Sequence, residues 1–186
     1  MIASFKKLWN NNEATFFVGK IWSAYLHYNL VENANQAYLE YVNSYAKKFP
    51  NQILDDKYEN CYEVFGEFGL NIDEPKDLKP KLHTIRAGSR WRAEMKIHFG
   101  INPRSKNYFQ FAPVIPCVSV QEIEIRHKLI GAFIEKVYVF IDGIKIHEEK
   151  IKILARNDGF ENVDDFFKFF HQDFTGQIVH WTDRKY

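Results

Sequence analysis

The chain has 186 residues, 46% of them hydrophobic and 26% charged, and a formal net charge of +1, which excludes a disordered tail and a polycation. No apolar run approaches the roughly 20 residues of a membrane span, and the start, Met1-Ile2-Ala3-Ser4-Phe5-Lys6-Lys7, lacks the apolar stretch of a secretion signal. Two cysteines, Cys61 and Cys117, are too few for a disulfide framework or a zinc knuckle. The expectation is a single domain in a reducing cytoplasm, with no metal or other cofactor and no membrane partner.

Ile2, Phe5 and Leu8 fit a short opening strand. Phe17, Ile21, Ala24, Tyr25 and Tyr28 recur at helical spacing, as do Ala34, Tyr38, Tyr41, Val42, Tyr45 and Phe49. Lys47 and Lys48 close the second of these helices and Pro50 stops it. A weaker helix is predicted over residues 57–70, followed by a polar, Pro-bounded linker from Asp73 to Pro80.

Beyond Pro80 the period changes to two. Met95, Ile97, Phe99 and Ile101 alternate with polar positions and predict a half-buried strand. Val118 and Val120 share one phase, Ile123 and Ile125 the other, which predicts a bulge near Gln121-Glu122. Val137, Val139 and Ile141, then Asp142-Gly143, then Ile144 and Ile146 predict a hairpin. Asn162 is placed to cap a helix carrying Val163, Phe166, Phe167 and Phe170, with Asp164 and Asp165 in its first turn. Residues 177–181 fit a closing strand. The second half is thus expected to hold short strands and one helix, a small curved sheet or barrel.

Charge is unevenly spread. Lys79 to Lys106 carries eight Lys or Arg and one acid, Glu94, whereas Glu32 to Asp77 carries ten acids and four lysines. Such a division either steers an anion to the basic side or is neutralised across a packed surface. The basic stretch contains the run Lys81-Leu82-His83-Thr84-Ile85-Arg86-Ala87-Gly88-Ser89-Arg90-Trp91-Arg92. Trp91 and Trp181 are candidates for stacking on a base, or alternatively for closing the core. The histidines show no metal-ligand spacing.

Four pieces resemble the ASCH family, whose fold is similar to the PUA RNA-binding domain. They are Lys-x-x-Thr-Ile-Arg at 81–86, Gly-x-Arg-Trp at 88–91, Asn157-Asp158-Gly159-Phe160 ahead of an amphipathic helix, and the terminal Ile178-Val179-His180-Trp181. The Ala-Gly-x-Arg-Trp form is similar to members encoded in gut bacteria and their phages. The resemblance implies an α+β fold: a small β-barrel with flanking helices, its first strand and helix at 1–30, a helical insertion at 31–78 and the barrel core at 79–186. It also implies a cleft that binds RNA or a modified nucleoside, lined by the lysine, threonine and arginine of the motif; with the neighbouring cations, rings and imidazoles, the ligand-binding candidates are Arg86, Arg90, Trp91, Arg92, His83, His180 and Trp181.

One member type hydrolyses N4-acetylcytidine with a lysine as proton acceptor, a threonine three residues later as nucleophile and a glutamate as proton donor. Carried over, these positions fall on Lys81, Thr84 and Asp158, the last one methylene shorter than glutamate. In a regular strand residues 81 and 84 point to opposite faces, so they converge only if the chain turns or bulges after Pro80. The readings carried forward are a nucleoside- or RNA-binding domain, a metal-independent amidohydrolase on N4-acylated cytidine, and a protein-interaction module that docks a protein partner on the acidic segment 31–78.

Overall fold

A computed structural model describes residues 1–6, 15–49, 78–130 and 133–186. Among them the chain is mixed α+β. In order it forms β1 (Ile2–Ser4), α1 (Phe17–Tyr28), α2 (Ala34–Lys48), β2 (His83–Ala87), β3 (Lys96–Ile101), β4 (Phe109–Gln110), β5 (Ile115–Pro116), β6 (Ser119–Ile130), β7 (Phe133–Ile141), β8 (Ile144–Lys145), α3 (Glu148–Asn157), α4 (Val163–Phe169) and β9 (Phe174–His180). The predicted helix at 57–70, most of the acidic insertion, and Leu8, Pro50 and Cys61 lie outside the described residues.

The chain divides into two compact units, Met1–Lys81 with Lys96–Ile115, and Leu82–Met95 with Pro116–Tyr186. In the first, β1 runs parallel to β3, and β4 and β5 also pair with β3. The alternation along β3 puts Ile97, Phe99 and Ile101 inside. The apolar stripes of the two helices supply Ile21, Trp22, Tyr25, Tyr38 and Tyr45 to the same interior. Rings meet there at their edges, Trp22 with Tyr38 at 5.2 Å and Tyr25 with Phe99 at 5.8 Å. The buried indole donates to Phe111 O at 2.9 Å, so its polar handle is satisfied. In this unit the aromatic richness serves packing.

The second unit is built on one open sheet, in the order β2-β9-β6-β7-β8. The expected closed barrel is not formed among the described residues. Closure would need the edge strands to pair with each other. Instead β8 is two residues long and leads within two residues into α3, while the chain entering β2 gives the Leu82 N–H to Asn157 O at the end of α3.

The predicted hairpin forms, with Asp142 and Gly143 both at positive φ (50° and 78°), the geometry that matches strand twist. The predicted bulge near Gln121-Glu122 does not form. Residues 119–125 of β6 pair in unbroken register with β9, and the register shift lies at Lys128/Leu129. Gln121 occupies the core phase with Ile123 and Ile125, and its amide is satisfied: Nε2 donates to Asp142 Oδ2 at 2.8 Å and Oε1 accepts from Tyr186 N at 2.9 Å. A satisfied glutamine in an apolar phase mimics a phase slip.

The second half also holds two helices rather than one. In α3, Ile151, Leu154 and Ala155 form the buried stripe, Glu148 and Glu149 sit in the first turn, and Arg156 in the last. Its exit is a Schellman turn: Phe160 N–H donates to Ala155 O, Gly159 N–H to Arg156 O, and Gly159 takes φ 93°. Asn162 caps α4 as expected, accepting from Asp165 N at 2.8 Å.

Gly176 lies where β9 crosses β2. A Cβ added there would stand 2.2 Å from the backbone oxygen of Arg86. Gly176→Ala is therefore expected to push the two strands apart and to cost about 3 kcal/mol, the upper range for overpacking. Urea unfolding that shows a loss under about 0.5 kcal/mol, the surface-substitution range, contradicts this pairing.

Candidate functional site

Strand pleating sorts the motif of β2. Antiparallel register sets His83 opposite His180, Thr84 opposite Val179, Ile85 opposite Ile178 and Arg86 opposite Gln177. Directly opposed residues share a face. His83 and His180 therefore lie on the inner face with Gln121, Ile123, Ile125 and Ile178, all buried. Thr84 and Arg86 lie on the outer face with Gln177, Glu122 and Glu124.

Asp158 serves both faces. It is the last residue of the α3 turn, held beside β2, the end strand of its sheet, by the Leu82–Asn157 backbone bond of 2.8 Å. Its carboxylate Oδ1 lies 3.9 Å from His83 Nε2, and its charge also acts on Arg86. The Arg86 guanidinium is pulled down to about 10, first by burial, with Asp158 pushing the other way. Asp158 is thus the exit of a helix, not the approach to one, and it is buried.

The inner-face end of the sheet is polar. The His83 and His180 rings are 5.5 Å apart. Tyr186 joins them, its hydroxyl 3.1 Å from His83 Nδ1 and accepting from Asn157 Nδ2 at 2.8 Å. Burial raises the Tyr186 hydroxyl well above the usual phenol range. Neither Asn157 nor Tyr186 belongs to the expected ligand-binding set. Asn157 was within the quoted motif, whereas no periodicity marks Tyr186.

The remaining positions are scattered more widely. Arg90 and Arg92 are exposed. Trp91 is buried, and its backbone is latched to β9 by the side chain of Gln177, which accepts from Trp91 N at 2.9 Å and donates to Trp91 O at 3.2 Å. Trp181 is also buried, so neither indole offers an open face to a base in this structure. Thr84 is buried in β2. Lys81 belongs to the first unit, where its ammonium lies 4.6 Å from the Phe17 ring centroid and its N–H donates to Lys20 O. A separate cleft of about 300 Å³ opens on the outer face of the second sheet, lined by Ser89, Glu122, Glu124, Phe140 and Gln177 among others.

No family model, no curated protein and no solved structure matches the chain. Among the described residues no helix is long and apolar enough to cross a membrane.

His180 is held down to about 4, first by burial, then by Lys185, with Asp142 pulling upward. In the unfolded chain the imidazole takes its proton near its ordinary 6.5, in the fold only near 4. The unfolded state therefore binds more protons between these values. Stability is full above pH 6.5 and declines as pH falls toward 4, by about 3 kcal/mol at the end of the window. His180→Phe is expected to remove that part of the acid-side decline, as read by urea unfolding at pH values across the window. An equally steep decline in the variant contradicts the assignment.

Proposed function

We propose that the second unit binds RNA or a modified nucleoside, taking the base at the β2 end of its sheet. The observation that carries this reading is the meeting of Asp158, His83 and Arg86 at that end, with a second imidazole behind them. A carboxylate and two imidazoles supply acceptors and donors for a base edge. A guanidinium pairs with a phosphate or a carbonyl, and the exposed Arg90 and Arg92 extend the cationic path. The ASCH likeness of the same residues points to the same class of ligand.

Arg86→Ala is expected to lower affinity for a short single-stranded RNA by tenfold or more while circular dichroism stays unchanged. Arg90→Ala and Arg92→Ala should each reduce the slope of log affinity against log salt by about one phosphate contact. A nucleoside ligand lacks that slope, so the salt titration separates the two ligands. Unaltered affinity and slope in all three variants count against the proposal.

A second reading is favoured by a buried carboxylate 3.9 Å from an imidazole, a separation that one bridging water spans for proton transfer. In this reading the second unit hydrolyses N4-acetylcytidine, with Thr84 as nucleophile and Asp158 as proton donor, and Lys81, which belongs to the first unit, has no part in it. A threonine hydroxyl needs a base to attack an amide. Cytidine should accumulate with the unaltered protein and not with Thr84→Ala. No product from the former, or equal product from the latter, removes the hydrolase reading and leaves the binding one standing.

A further inference from the structure

On the inner face of the second sheet, Tyr186 has the contacts of a bound planar ring. Its phenol stands edge-on to His83, centroids 5.3 Å apart, and tilted by 35° to His180 at 6.0 Å. Its hydroxyl accepts from Asn157 Nδ2 and meets His83 Nδ1. Its backbone is clasped by Gln121, which accepts from Tyr186 N at 2.9 Å and donates to Tyr186 O at 3.2 Å. An aromatic ring with one polar edge, set against two imidazoles and fixed by an amide, is what a nucleobase would form at this place.

Tyr186 fills the space without satisfying it. The His180 side chain is 0% exposed, and neither ring nitrogen has a hydrogen-bond partner among the described residues. Buried polar atoms are nearly always paired, because leaving one unmade costs free energy. A neutral imidazole offers one donor and one acceptor, and a phenol has a single hydroxyl, here already engaged with Asn157 and His83. A nucleobase has the same flat apolar faces and an edge carrying both a donor and an acceptor. The chemistry left open beside Tyr186 is therefore complementary to a base.

We propose that the segment Thr182–Tyr186 is a strap that occupies its own base pocket, with Tyr186 standing in for the base and yielding to it when the strap lifts. This rests on the nucleoside reading above and adds the regulation of that site. A strap closed nine-tenths of the time weakens apparent affinity about tenfold, since only the open fraction binds.

The test is cytidine binding by calorimetry to the unaltered chain, to Tyr186→Phe and to Tyr186→Ala. Tyr186→Ala is expected to bind about tenfold more tightly than the unaltered chain. Tyr186→Phe, which keeps the ring but loses the hydroxyl contacts, should fall between them. A folded Tyr186→Ala that binds no more tightly than the unaltered chain overturns the strap and leaves the nucleoside reading intact, and absence of binding in all three overturns both. If Tyr186→Ala fails to fold, 3-fluorotyrosine at position 186 of the full chain decides. Saturating cytidine should move its fluorine resonance to the solvent-exposed position, and saturable binding without that movement overturns the strap.

Discussion

The pairing of β2 with β9 is the constraint on which the rest of the second unit depends. β2 lies at the edge of its sheet, so one partner strand alone fixes which of its side chains face inward. A slip of one residue would turn His83 to the outer face and Thr84 and Arg86 to the inner one. Gly176 permits the close approach of the two strands, and Gln177 ties the following loop to the same strand through Trp91. Asp158 then needs only the position of the α3 exit to stand at the edge, and the Leu82–Asn157 bond supplies it.

Polar groups at the inner-face end of the sheet are arranged in two ways. Gln121, Asp142, Asn157 and the backbone and hydroxyl of Tyr186 form a connected set in which each member answers another. Such a set fixes one arrangement of the chain, because every alternative leaves a buried group unmade. His180 stands outside it, neutral by burial and held among rings. The contrast between a satisfied network and an imidazole without hydrogen-bond partners among the described residues is what the proposed base pocket is built on.

Much of this was legible in the sequence where periodicity is long and unbroken. The stripes of α1 and α2, the alternation along β3, the Asp142-Gly143 turn and the Asn162 cap are each set by local chemistry, and each is found where it was expected. What local chemistry leaves open is less visible. Helix α3 carries only about one turn of buried stripe, and Ile151 and Ile153 repeat the two-residue spacing of Ile144 and Ile146. Gln121 belongs to the core only because Asp142 and Tyr186 reach it from elsewhere in the chain. The motif at 81–86 was visible as a run of residue types. Its division into an imidazole face and a hydroxyl-guanidinium face depends on where β2 begins, and the role of Asp158 on the helix that was missed.

The central claim is that a base is taken at the end of the sheet where His83, His180 and Asp158 meet. The most direct measurement is a cytidine titration followed by the ring nitrogen resonances of 15N-labelled histidine in the full chain. The account predicts saturable shifts in His83 and His180 together, with the exposed His147 and His171 unmoved. Saturable binding that leaves both inner-face imidazoles unshifted contradicts it.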